Sequence, residues 1–201
     1  MFELDDWRSA QKLIADYPLA WVCARLDGEA SQLPLIASCD AEGRPVELIG
    51  HFARSNPIGA ALAADPRATI LFSGPQGYVS PAHAGRRDWG PTWNYAQLRI
   101  AAEITIDPDL TEAALGLLID HMERNRAEPW AASELGNRYP GMLARIVGFR
   151  AKVVGLSGKF KLGQDENPAT LRTILASHED PALTEWMRHA NRERLKDNTD
   201  A

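Results

Sequence analysis

Arg54-Ser55-Asn56-Pro57 puts a guanidinium and a hydroxyl just ahead of an Asn-Pro pair. Asn56 is an N-cap residue by type, and Pro57 suits the first helical position, where a missing N–H costs nothing. Amides at such a helix start, together with Arg54 and Ser55, could receive a dianionic phosphate. The same residues also make an ordinary strand-to-helix turn with a solvated Arg. In Pro91-Thr92-Trp93-Asn94-Tyr95, Trp93 could stack on a planar heterocycle while Asn94 hydrogen-bonds its rim. The competing account has these rings filling a barrel at a strand start. In Ser157-Gly158-Lys159-Phe160-Lys161 the two lysines alternate, so within a strand they share a face. They could hold an anion or lower the pKa of a bound ring, or simply be solvated.

Other reactive residue types lack the company that catalysis needs. His51 sits at a strand end, where a structural imidazole is the usual occupant. His83 stands beside Arg86, Arg87 and Asp88 but has no paired nucleophile. Ser80 lacks the G-x-S-x-G elbow, and His121 with Glu123 does not form H-E-x-x-H. No Walker loop or Rossmann glycine fingerprint occurs. Cys23 and Cys39 lack metal-ligand spacing, which points to a reduced cytoplasmic protein.

The elements that must position these groups are mostly short strands. Asp5 or Asp6 caps a first helix with Trp7, Ala10, Ile14 and Tyr17 on one face. Strands are expected at 20–25, 32–37, 46–51, 67–73 and 78–80, with turns at 26–28, 42–44 and 73–77. Pro34 implies an edge or a bulge. The cleanest strand runs from Tyr95 to Ile106, where Ala96, Leu98, Ile100, Ala102, Ile104 and Ile106 alternate with polar neighbours. A helix follows over 110–124, then a strand over 146–156, a loop from Ser157, a helix from Pro168 to Ser177 and a charged helix over 181–196. Strands at hairpin distances with few helices predict a mainly β (α+β) barrel or sandwich with helices at its ends. A doubly wound sheet is excluded by the lack of βαβ alternation.

The chain has 201 residues and a net charge of −5. That charge gives no global footprint for nucleic acid, no stretch reaches the length of a membrane span, and the acidic start does not read as a signal peptide. The expected organisation is a domain over 1–165 with an inserted helical segment, and a helical extension over 166–201 packed on it.

Taken in order, several pieces resemble the PaiB-type FMN-binding negative transcriptional regulators. They are L-P-L at 33–35, H-F-A-R-S-N-P at 51–57, G-P-Q-G-Y-V-S-P at 74–81, P-T-W-N-Y at 91–95, Pro129-Trp130, I-V-G-F at 146–149 and G-K-F-K-L-G-Q at 158–164. The resemblance spans roughly residues 15 to 175. It implies a homodimeric FMN-binding split β-barrel with peripheral helices and a C-terminal helical tail. The FMN phosphate would then lie at Arg54, Ser55 and Asn56, next to His51 and Phe52. Gln32, Leu33 and Pro34 would follow the isoalloxazine edge. Trp93, Asn94, Lys159 and Lys161 would approach the flavin, from the other subunit.

This chain departs from the family pattern near that site. Ser31-Gln32-Leu33-Pro34-Leu35 replaces T-H-L-P-L, Ala82-His83-Ala84 replaces S-W-Y, and K-F-K-L-G-Q-D replaces K-W-K-L-S-Q-N. Ring environment, substrate and FMN occupancy are therefore the properties in which this chain is expected to differ. The leading reading is a flavoprotein with a regulatory or redox role. Its rivals are an FMN-dependent oxidoreductase using NAD(P)H or a small substrate, and a DNA-binding repressor. Against the last, Arg188, Arg192, Arg194 and Lys196 are interleaved with Glu185, Glu193 and Asp197, the pattern of a solvated face.

Overall fold

A computed structural model describes residues 2–3, 6–26 and 28–196. Asp5, Asp27 and Asp197, on which parts of the sequence reading fell, lie outside the described residues. The alternation in the middle of the chain produces β5 (Thr92–Ile106), whose Ala96, Leu98, Ile100, Ala102 and Ile104 are all buried. The other strands are β1 (Leu19–Ala24), β2 (Ala30–Cys39), β3 (Pro45–Ala53), β4 (Arg67–Val79) and β6 (Ile146–Lys161). They follow one another around a closed barrel in the order β1-β2-β3-β6-β5-β4. The helices are α1 (Trp7–Asp16), α2 (Ile58–Ala64), α3 (Thr111–Glu123), α4 (Tyr139–Leu143), α5 (Pro168–Ser177), α6 (Pro181–Ala190) and α7 (Arg192–Lys196). This is the expected mainly β barrel with peripheral helices and a helical tail.

The described residues form two compact units. One comprises 6–72 and 98–157; the other comprises 73–97 and 158–196 with residues 2–3. In the first, Leu35, Leu48, Ile70, Phe72, Leu98 and Phe149 are fully buried, and Phe52 packs on Phe149 with ring centroids 5.6 Å apart. Asp6 caps α1 by accepting the Arg8 N–H at 2.7 Å, and α1 buries Ala10, Leu13 and Ile14. The turn from β2 to β3 passes through Gly43 at φ +82° and is closed by Asp40, which accepts both the backbone N–H and the Nε–H of Arg44.

In the second unit, α6 buries Leu183, Trp186 and Met187, and Trp186 stacks on Phe160 at 6.1 Å. Three expectations are corrected here. Gly74-Pro75-Gln76-Gly77 is not a turn, because β4 runs through it to Val79. A Cβ at Gly77 would stand 2.8 Å from Leu183 Cδ2, so the glycine serves close helix–strand packing. Ser157 to Lys161 is not a loop but the end of β6, where the Phe160 N–H donates to the Phe2 carbonyl at 2.7 Å. Finally, the C-terminal helix is broken at Asn191. This residue is buried, and its side chain donates to the carbonyls of Leu162 at 3.0 Å and Met187 at 2.8 Å.

Candidate functional site: a fork between two strands

Within the first unit β2 changes partner along its length. Its first half pairs with β1, from Cys23↔Ala30 to Leu19↔Pro34. Its second half pairs with β3, from Leu35↔Gly50 to Cys39↔Pro45, with a bulge at Ser38/Cys39. Beyond Gly50, β3 continues against β6 through His51↔Gly148, Phe52↔Val147 and Ala53↔Ile146. Pro34 stands at the hand-over, where its missing N–H breaks the ladder, and Leu35 donates instead to the Pro18 carbonyl at 2.9 Å. The outcome is a fork with Ser31 to Pro34 on one arm and His51 to Ala53 on the other. Gly50 sits in its angle. A Cβ there would meet Leu35 Cδ2 at 2.6 Å and the Pro34 oxygen at 2.8 Å, so only glycine lets the arms meet so closely. Across the opening the Ser31 hydroxyl donates to Asn56 Oδ1 at 3.1 Å.

Gln32, Leu33, Pro34, His51, Phe52, Arg54, Ser55 and Asn56 are thus gathered on this fork and the turn that follows it. Leu33 and Phe52 are buried and belong to the core, whereas Gln32, Arg54 and Ser55 are exposed. His51 is half-buried. Its Nδ1 is buried without a hydrogen-bond partner, and burial lowers the imidazole from its usual 6.5.

The turn itself differs from the sequence expectation. α2 begins at Ile58, and Pro57 takes the cap position, not the first helical one. The amides expected to be free are largely paired. Arg54 N–H donates to the Arg145 carbonyl, Asn56 N–H to the Ala53 carbonyl, Ile58 N–H to Asn56 Oδ1 and Gly59 N–H to the Asn56 carbonyl. What remains for an oxyanion is carried by side chains: the Arg54 guanidinium and the Ser55 hydroxyl. Arg54 donates through Nε to the Ala144 carbonyl at 3.1 Å. It lines a groove of about 380 Å³ with Asp109, Thr111, Glu112 and Leu143, so carboxylates share the space around this cation.

An FMN molecule asks for a cation and a hydroxyl at its phosphate, and for polar groups along the ring edge. Arg54 and Ser55 supply the first pair. Gln32 and the unpartnered His51 Nδ1 would supply the second, so the residue types on the fork and on the turn after it fit the group.

The remaining four expected residues lie in the second unit. Trp93 is exposed and packs on Tyr78 with centroids 6.1 Å apart. Asn94 is buried at 2% exposure, donates weakly to Met187 Sδ at 3.6 Å, and has an unpartnered Oδ1. Lys159 is exposed and bridges to Glu3 through the backbone. Lys161 donates to the Thr92 hydroxyl and stands over the Phe2 ring, 5.9 Å from its centroid.

Three contacts in this unit escaped the sequence reading. His83 Nε2 lies 3.3 Å from Glu179 Oε2, and its ring lies 4.7 Å from that of His178. Trp89 donates through Nε1 to Glu166 at 3.1 Å. No local signal joins positions so far apart in the chain. The C-terminal cations are already engaged. Arg188 donates to the Leu175 carbonyl, Arg194 to Asn191 Oδ1 and the Glu166 carbonyl, and Arg192 pairs with Glu193. Among the described residues no group of three or more His, Cys, Asp or Glu is placed to hold a metal ion, and no helix is long and apolar enough to cross a membrane.

A six-stranded antiparallel barrel whose β2 hands over from β1 to β3, leaving a fork between β2 and β3, is a split-barrel fold. Residues 1–155 match the family described as "Putative FMN-binding domain", and the chain belongs to that family. It is similar to the protease synthase and sporulation protein PAI 2 of Bacillus subtilis, at 27% identity over 130 residues, covering 64% of this chain and 62% of that protein. The chain therefore spans just under two thirds of that relative's length. An uncharacterized protein of Aspergillus fumigatus is 25% identical over 208 aligned positions, covering 77% of this chain and 80% of that one. Among solved structures, the FAD and heme binding protein of Mycobacterium smegmatis has a TM-score of 0.56 at 19% identity, covering 81% of this chain and 75% of that one. The flavocytochrome Anf3 of Azotobacter vinelandii also gives 0.56, at 14% identity, covering 81% and 70%. These two likenesses are of fold.

Proposed function

We propose that the protein binds FMN along the fork between β2 and β3, and works as a homodimeric flavoprotein with a regulatory or redox role. The observation that carries this reading is the buried, unpartnered Nδ1 of His51 on a fork that also presents Gln32, with Arg54 and Ser55 on the turn that follows it. A buried polar atom without a partner is costly, and a ligand with a polar rim would satisfy it. Family membership supports the choice of FMN as that ligand.

On this reading Arg54 and Ser55 bind the phosphate, Gln32 hydrogen-bonds the ring edge, and Leu33 and Pro34 set the wall against which the ring lies. Asn56 holds the phosphate end of the fork in place through Ser31 and Ile58. FMN supplies the electron-transfer chemistry, while the chain orients it and excludes water. Trp93, Asn94, Lys159 and Lys161 remain flavin neighbours by resemblance, contributed by the second subunit. Asn94 and Lys161 would first have to exchange the contacts they make within their own unit.

An absorption spectrum of the purified protein, followed by FMN titration with quenching of its fluorescence, tests the reading. Saturable quenching supports it; a spectrum without flavin together with a flat titration removes it. NADPH oxidation in the presence of FMN then separates a redox role from a regulatory one. Salt-dependent retention of promoter DNA, compared with an Arg192→Glu, Arg194→Glu variant, tests the repressor alternative.

A further inference from the structure

The outer wall of the barrel holds a cavity of about 460 Å³, and none of the fork residues line it. Its composition follows from strand alternation. Ala24 on β1, Ala68 on β4 and Ala102 on β5 are buried, so Cys23 and Arg25, Arg67 and Thr69, and Arg99 and Glu103 face outward from those strands. The Arg25 N–H donates to the Arg67 carbonyl at 3.1 Å, and Cys23 pairs with Thr69. The ladder thus sets Arg25 opposite Arg67 and the Cys23 thiol opposite the Thr69 hydroxyl. Three guanidiniums share this cavity with one carboxylate, that of Glu103, in a chain whose overall charge is −5. Asp65 holds Arg67 through two hydrogen bonds, at 2.8 and 2.6 Å, and so fixes its plane. Arg25 and Arg99 hydrogen-bond to no carboxylate among the described residues. A cleft lined by one sign of charge concentrates ligands of the other.

We infer that this cavity binds a small ligand carrying two oxyanionic groups, phosphate or carboxylate, on a short body. Guanidinium forks take such groups through paired hydrogen bonds. Arg25 and Arg99 stand on the β1 and β5 sides of the cavity with β4 between them. Neighbouring strands lie about 4.8 Å apart, so the backbones that carry these two cations are roughly 10 Å apart, a span suited to a ligand charged at both ends. Arg67 lies between them, and the Thr69 hydroxyl offers a neutral donor to either end. The cavity's size is that of a small-molecule site. Glu103 sets a limit on affinity, because its carboxylate faces the same space as the ligand's own charges. This site is separate from the flavin site under Proposed function and does not depend on it.

Calorimetric titration of the full chain with pyrophosphate and, separately, with succinate tests the site, with chloride at equal ionic strength as the control. Saturable one-to-one binding of either probe supports it, and the probe that binds tells phosphate from carboxylate. Combining Arg25→Ala with Arg99→Ala should weaken that binding about tenfold or more. The thermal melt should stay nearly unchanged, since both residues are exposed. Glu103→Gln should tighten binding, because a carboxylate leaves the cavity. Arg54→Glu should leave it as it is, which separates this cavity from the phosphate place proposed beside the fork. Cys23 reports the location: in Cys39→Ser it is the one remaining thiol, and saturating probe should slow its reaction with N-ethylmaleimide several-fold. Failure of both probes to bind beyond the chloride control overturns the proposal. So does binding that survives the paired arginine substitution, or that Arg54→Glu abolishes.

Discussion

The Ser31 hydroxyl and the Asn56 carboxamide meet at 3.1 Å across the opening between β2 and β3. They tie together two arms that are 25 residues apart in the chain and no longer share a ladder. Asn56 Oδ1 also accepts the Ile58 N–H, so one atom fixes both the width of the fork and the start of α2. Asn56→Ala should therefore lower stability by about 1–2 kcal/mol, the usual net worth of the two hydrogen bonds its Oδ1 accepts, read as a lower urea midpoint at unchanged slope. Ser31→Ala, which leaves the contact to Ile58 intact, should cost less.

Gly50→Ala should do more damage than its size suggests. The new methyl would face Leu35 Cδ2 at 2.6 Å, the Pro34 oxygen at 2.8 Å and Phe149 Cζ at 2.9 Å. Such overpacking costs about 1–3 kcal/mol and would push Pro34 away from β3. Denaturant unfolding checks the first effect, and FMN titration checks whether the widened fork still binds.

Asp65 is nearly buried and accepts from Arg67 Nε at 2.8 Å, from its Nη2 at 2.6 Å and from its backbone N–H at 3.1 Å. The Arg67 hydrogen bonds hold its pKa down from 3.8 to about 2. A carboxyl whose folded value lies below its unfolded one stabilises the fold fully above the unfolded pKa. That stabilisation is lost as pH falls through the folded value. Urea midpoints should thus decline between about pH 4 and pH 2, and Asp65→Asn should flatten that limb.

His51 gives a second pH signature. Burial depresses its pKa below 6.5, so its contribution is present above that value and fades as acid drives the ring to charge. His51→Gln should remove this slope. In proton NMR the His51 titration should move when FMN is added, because a ring bound as proposed would offer the partner that Nδ1 lacks.

Much of this architecture was legible from residue patterns. The Ala96 to Ile104 alternation and the Asp6 cap both act through neighbours in sequence, and both appear where expected. Gly74 to Gly77 misled because glycine and proline are turn signals locally, while the packing of Leu183 against Gly77 decides the matter from over 100 residues away. Asn191 broke a helix that its propensities would continue, because its side chain reaches the Leu162 carbonyl. The site was legible in part. Motif order pointed to the residues on the fork, but the pairing of the Arg54 amide with Arg145 and the contact between Arg54 and Ala144 depend on a chain segment about 90 residues distant.

Titration of FMN into wild-type protein and Arg54→Glu, followed by flavin fluorescence, bears most directly on the proposed place of the phosphate beside the fork. Replacing a charge-assisted hydrogen bond by a like charge should cost about 2 kcal/mol or more, roughly thirtyfold in Kd. Saturable binding by the wild type with that loss in the variant is the predicted result. Equal affinity in the two proteins would contradict it.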